Sequence, residues 1–214
     1  LDGADPKLVL ERLYDAAEKS DPASRVVPLA KGELALSKSD FTLASRVYQI
    51  ALKKFPNDAE IHFGVAKSFE SSDRKMMQKH LEAALTANPN HIPSHLLLID
   101  NLIDRESYDE AEKMIVEVLK VNPEHPEAWA YRAVLAHLSN DAASEKTARE
   151  RALKHWPRNP RVPHLIGKKL SQKYHFAEGS AYQKQTLTFD AKYIPARIQL
   201  AQDLLRLGLE KEGW

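Results

Sequence analysis

Apolar residues recur along this chain at three- and four-residue spacing, in runs of about a dozen residues set apart by short polar breaks. Between 96 and 103, Leu96, Leu98, Ile99, Leu102 and Ile103 mark one face. The polar turn Asp104-Arg105-Glu106-Ser107 follows, and then Tyr108, Ala111, Ile115, Val118 and Leu119 mark a second face. That period belongs to amphipathic helices. The same sequence of events occurs earlier: Gly32, Ala35 and Leu36, the turn Lys38-Ser39-Asp40, then Phe41, Ala44, Tyr48, Ala51 and Leu52. No stretch sustains the period of two that a strand needs. The pattern predicts an all-α chain of paired helices.

Prolines give those pairs a longer period. Pro22, Pro56, Pro89, Pro123 and Pro157 are separated by 34, 33, 34 and 34 residues, and the pattern continues without its proline at Ala191. Each follows one apolar run and precedes another, as in Phe55-Pro56-Asn57-Asp58 and Asn122-Pro123-Glu124-His125. Proline ends a helix there because its ring excludes the preceding residue from helical geometry. An isolated hairpin of two such helices cannot bury its apolar faces, whereas stacked hairpins build one continuous core. Small residues recur where helix axes must approach: Gly32, Ala66 and Gly167 in first helices, and Ala44, Ala111, Ala51, Ala84 and Ala152 in second helices.

With these residues in register the chain resembles the tetratricopeptide repeat family. Unit 25–58 carries the pattern in Gly32, Phe41, Ala44, Tyr48, Ala51 and Pro56, and unit 92–125 in Leu98, Leu102, Tyr108, Ala111 and Pro123. In unit 126–159 Trp129, Ala133, Ala152 and Pro157 fit, but Glu145 stands where a small residue is expected. Unit 59–91 is one residue short near Ser71-Ser72-Asp73, and unit 160–193 keeps Gly167 and Phe176 without a closing proline. The resemblance implies one array over 1–214, an all-α, right-handed superhelical solenoid of antiparallel hairpins. Residues 7–24 read as a partial repeat or cap, with Leu10, Leu13, Tyr14 and Ala17 on one face. Residues 194–214 read as a truncated repeat whose first helix holds Ile198, Leu200, Ala201, Leu204 and Leu205 and whose second only starts at 210–214. An apolar flank there is expected to be covered by further chain or by self-association.

Composition then narrows the chemistry. Cysteine is absent, which removes thiol nucleophiles, disulfides and thiolate metal sites, and 7 glycines are few for phosphate-cradling loops. Gly167-Lys168-Lys169 lacks the rest of a phosphate loop. No apolar run approaches the roughly 18 residues of a membrane span, and the first residues do not form a signal peptide. His91 and His95 have helical metal-ligand spacing. Repeat placement explains them, because His91 matches His125 and His62 matches His95, so no metal or cofactor is expected. Asp100 and Asp104, four residues apart, read as a charged groove lining before acid–base partners.

By the resemblance, positions 2, 5, 9 and 12 of each first helix line a concave groove for a protein or peptide. The groove residues singled out are Glu33, Phe63, Lys67, Leu96, Asp100, Val134, His137, Arg161, His164 and Lys168, with Phe63 as an aromatic anchor or a residue tucked into its hairpin. The family's cationic clamp for chaperone tails is not expected, since Leu29, Glu33, Gly64, Pro93 and Leu97 occupy its positions. Charge is segregated: residues 146–173 hold nine Lys/Arg and one Glu, residues 98–127 nine acids and three bases, in a chain of net charge +1. Steering of a complementary partner is one reading and a solvated outer surface the other. The expected function is a protein-interaction scaffold, with no catalytic constellation and no membrane insertion. The alternatives are an RNA-binding helical repeat, disfavoured because groove positions change chemistry from unit to unit, and the substrate-recruiting part of an enzyme whose active site lies elsewhere.

Overall fold

A computed structural model describes residues 8–209. Among them there is no strand. Two compact units are formed, Leu1–Ser94 and His95–Trp214. A π-helical segment, Val9–Tyr14, leads into α1 (Asp15–Ser20). Paired helices follow: α2 (Val26–Ser37) with α3 (Phe41–Lys54), then α4 (Ala59–Ser68) with α5 (Arg74–Ala87). Next come α6 (Ile92–Asp104) with α7 (Tyr108–Val121), then α8 (Pro126–Leu138) with α9 (Ala142–Ala152). The series ends with α10 (Arg161–Gln172), α11 (Phe176–Phe189) and α12 (Ile194–Arg206). Within the units, first helices also pack on first helices: α2 on α4, α8 on α10, and α10 on α12. Of the proposed N-terminal cap, Leu13 and Ala17 are exposed and Tyr14 is half-buried. Leu10's side chain, and the start of a helix at 210–214, lie outside what is described.

The hairpin turns repeat one backbone device. Ser39, Glu106, Asn140, Tyr174 and Gly208 all have φ between 59° and 74°. The following N–H reaches back five positions, as Asp40 to Ala35 O (2.9 Å), Ser107 to Leu102 O (2.9 Å) and His175 to Leu170 O (3.0 Å). This satisfies carbonyls that the helix end leaves open. The turn after α4 has no such residue and closes with Asp73 N–H on Phe69 O at 3.0 Å. Aspartates then start the second helices: Asp40, Asp73 and Asp141 accept from the backbone N–H groups of Leu43, Met76 and Ser144.

In the first unit the core is Ala35, Ala44, Tyr48, Ala51, Ile61 and Val65. Its centre is the Tyr48 ring, held between Gly32 of α2 and Gly64 of α4. A Cβ on Gly32 would lie 2.2 Å from Tyr48 Cζ, and one on Gly64 2.4 Å. In the second unit Ile99, Ile103, Ile115, Val118, Val134, Ile166 and Leu170 are fully buried or nearly so. There α10 and α11 cross closely at glycines: a Cβ on Gly167 would meet Gly179 O at 2.8 Å, and one on Gly179 would meet Ser171 Oγ at 2.0 Å. No described helix is long and apolar enough to cross a membrane. The last helix, α12, leaves Ile194, Ile198 and Leu205 exposed.

Candidate functional site

Amphipathic packing turns one face of each first helix into the hairpin and leaves the opposite edge for other contacts. In the first unit Glu33 of α2 is exposed. Phe63 of α4 is half-buried, its ring edge-on to His91 at 5.5 Å. Lys67 pairs with Glu70 at 2.5 Å. His91 itself is buried at the start of α6, where its Nδ1 meets Ser94 Oγ at 2.7 Å and its Nε2 lies 3.2 Å from Glu60. Its Nδ1 thus serves the helix start, and its Nε2 faces the Glu60 carboxylate.

In the second unit four of the expected residues come together. Asp100 of α6 and Arg161, His164 and Lys168 of α10 line one solvent-open cleft of about 220 Å³, with Glu127 and Tyr131 of α8 and Tyr193. Tyr131 donates to Asp100 Oδ1 at 2.9 Å. Burial, then the Asp100 charge, pushes the Tyr131 phenol well above its ordinary value, so it stays a neutral donor. His164 Nδ1 lies 2.8 Å from Gln183 Oε1, and Gln183 Nε2 donates to His164 O at 3.2 Å. The imidazole therefore carries its proton on Nδ1. Burial lowers its pKa, the Gln183 bond opposes this, and Lys168 lowers it further, so the ring is neutral at pH 7. Arg161 and Lys168 stand exposed on the rim, Arg161 4.0 Å from Glu127.

The remaining expected residues are elsewhere. Leu96 is half-buried. Val134 does not present itself to a groove: it is 0% exposed, a core residue of α8. The resemblance counted helix positions from the repeat, but an apolar side chain at that position is drawn into the interior when neighbouring helices close over it. His137 is directed at Glu145, Nδ1 to Oε2 at 3.0 Å.

The group that sequence reasoning missed is Lys169, next to the expected Lys168. It is 1% exposed, and its Nζ sits 2.7 Å from Asp100 Oδ2 and 2.8 Å from Asp104 Oδ1. Lys173, one turn on, donates to Asp104 O at 3.0 Å and pairs with Glu106 at 3.1 Å. Asp100 and Asp104 are thus counter-ions of a buried ammonium, not acid–base partners. Both acids of α6 meet Lys169 of α10, while Lys173, at the C-cap of that helix, serves the turn that follows α6. The charge segregation has the same origin. Seven of the nine acids in 98–127 lie within 4.0 Å of a cationic group, and five of the nine Lys/Arg in 146–173 supply partners to them, including Arg151 and Lys154 on Glu124.

Helical hairpins in series, joined by repeated left-handed turns and meeting through small residues, define an all-α repeat module of the solenoid class. Tetratricopeptide repeat models match residues 29–75 and 78–135. The fold is shared with a tetratricopeptide repeat protein of Parabacteroides merdae (TM-score 0.68, 17% identity, 94% of this chain and 79% of that one). It is also shared with a thermophilic protein of the family from Thermus thermophilus (TM-score 0.65, 16% identity, 85% and 100%). A third is YrrB, described as having an unusual peptide-binding site (TM-score 0.56, 13% identity, 86% and 96%). No curated protein matches the chain in sequence. The chain belongs to the tetratricopeptide repeat family.

Proposed function

We propose that this protein is a non-catalytic scaffold that holds a segment of a partner protein against its first helices, with the cleft of α6, α8 and α10 receiving an acidic side chain of that segment. One observation carries the reading. Three successive first helices place side chains in a single open cleft whose buried ammonium is already neutralised, while the cations of Arg161 and Lys168 remain exposed on its rim. A cleft of this size takes one or two side chains and not a folded domain, which suits an extended peptide held by several shallow contacts. The peptide-binding site described for YrrB supports the same use of the fold. Phe63 and Lys67 of the first unit form a separate candidate contact, mixed apolar and charged.

The test is affinity capture from the native extract with three baits: the wild-type chain, Arg161→Glu/Lys168→Glu, and Phe63→Ala/Lys67→Glu, each checked for helicity. The first double variant is expected to weaken capture of the main partner about tenfold or more, equivalent to ~1.4 kcal/mol. Recovery of the same proteins at wild-type levels by both variants would refute this placement of the site.

A further inference from the structure

Three side chains outside the cleft converge at a point where the repeat pattern breaks. His137 near the end of α8, His175 at the start of α11 and Glu178 in its first turn bring ligand-type atoms within 4.8 Å of one another. We propose that they form a binding site for one divalent transition-metal ion, zinc in the first instance, tying unit 126–159 to unit 160–193.

Two departures from the repeat support the assignment independently of that proximity. Where Asp40, Asp73 and Asp141 cap their helices through a side-chain oxygen, the corresponding residue is an imidazole, His175, which like Ser107 makes no cap hydrogen bond. Its Nδ1 instead lies 3.8 Å from Glu178 Oε1. The second departure is Glu145, at the position that holds Ala44 and Ala111 in other units. Its Oε2 is 3.0 Å from His137 Nδ1, and its Oε1 accepts from Tyr182 Oη at 2.5 Å. Arg149 lies 4.0 Å from the same carboxylate and over the Tyr182 ring. A carboxylate on one imidazole nitrogen, itself fixed by a phenol, is the outer-shell arrangement that orients a metal-binding histidine. It places the His137 proton on Nδ1 and leaves Nε2 its lone pair for the ion.

The donor set decides the class of ion. Two imidazole nitrogens and one carboxylate oxygen suit zinc and its neighbours, while calcium and magnesium require oxygen ligands. Ligand atoms about 2.1 Å from a tetrahedral zinc stand about 3.4 Å apart, so modest rotation of the half-buried His175 and the exposed Glu178 side chains closes the site. The exposure of Glu178 also leaves an entry path and a fourth position for water. Because the ligands come from two repeats, no sequence motif marks them.

The experiment is calorimetric titration of the full chain with Zn²⁺, with Mg²⁺ as control, together with thermal melts in zinc and in chelator. One saturable zinc site that raises the melting midpoint is expected. His175→Asn restores a capping side chain and so is expected to fold at least as well without metal, yet to lose at least tenfold in zinc affinity. Glu178→Gln is expected to lose a similar factor, and Glu145→Gln about ten- to a hundredfold through the outer shell. Lack of saturable zinc binding by the wild type, or unchanged affinity in folded His175→Asn, overturns the proposal.

Discussion

The two compact units solve the same packing problem by different means. In Leu1–Ser94, the approach of first helices α2 and α4 is set by shape: an aromatic ring lies between two glycines, with no room for a methyl group on either side. In His95–Trp214, α6 and α10 meet through charge: one buried ammonium holds two carboxylates from the other helix. The difference teaches which changes each unit tolerates. A contact limited by shape fails when volume is added. A contact limited by charge fails when one partner is removed, because the survivors are left without a counter-ion in a poorly solvated place.

The largest effect is therefore expected at Lys169. Lys169→Met leaves Asp100 and Asp104 facing each other without their cation and should destabilise the protein by about 3 kcal/mol, the lower part of the range for broken buried pairs because both acids keep some solvent. The triple variant Lys169→Met/Asp100→Asn/Asp104→Asn should recover most of that loss. Urea denaturation measures both, and a triple variant no more stable than the single one would show that shape, not charge, governs this contact.

Acid comes next and sharpens the comparison from the other side. In the first unit His62 Nε2 lies 2.9 Å from Pro56 O, which fixes its proton there, and His80 Nδ1–H then donates to His62 Nδ1 at 3.0 Å. Burial, with the neighbouring His62 and Lys79, lowers the His80 pKa to about 4. The folded value lies below the unfolded one, so stability is fully present above the ordinary histidine value of about 6.5 and is lost as pH falls from there toward about 4. The loss attributable to His80 should reach about 2 kcal/mol. Denaturation of wild type and His80→Gln at pH 7.5 and pH 4.5 checks it, and an equal fall in both proteins would assign the acid sensitivity to other groups, such as the half-buried His125 and His164.

How much of this was written in the sequence depends on whether a feature is local. The helices, the proline breaks and the small positions are periodic along the chain, and Gly32, Ala44, Tyr48 and Ala51 sit where that period puts them. The meeting of Asp100 with Arg161, His164 and Lys168 was also legible, because it needs only corresponding positions on successive first helices. Lys169 was not, since which of two adjacent lysines turns inward depends on how closely α6 and α10 approach. Val134 was misplaced for the complementary reason: the groove position was inherited from the repeat, while its side chain follows the apolar environment. Nor does the 34-residue period identify Gly64 as a contact. It faces Tyr48 because that ring reaches from one hairpin into the next.

Gly64 offers the direct probe of the shape-limited contact. Gly64→Ala gains helix propensity but places a methyl group against a ring already backed by Gly32, so a net loss of about 1.5 kcal/mol is expected. In a Tyr48→Leu background the same substitution should cost much less, and a double-mutant cycle by thermal unfolding isolates the coupling. Additive effects would mean that the ring can move aside.

The smallest effect concerns a turn where the repeated backbone device falls on a bulky aromatic residue. Tyr174 adopts φ 68° with its side chain 83% exposed, touching the Phe176 ring edge-on at 6.1 Å. Left-handed geometry crowds Cβ against the following carbonyl and costs a bulky residue about 1–2 kcal/mol. At the equivalent place after α12, Gly208 adopts φ 74° without that penalty. Tyr174→Gly should therefore stabilise the second unit by about 0.5 kcal/mol, once the larger chain entropy of glycine and the lost ring contact are set against the relieved strain. Ser39→Gly, at the matching turn of the first unit, should gain a similar amount without sacrificing an aromatic contact. Chemical denaturation of both variants would show whether the aromatic pair offsets the strain: a gain for Ser39→Gly with a loss for Tyr174→Gly would mean that the Tyr174–Phe176 contact outweighs the backbone cost of holding it.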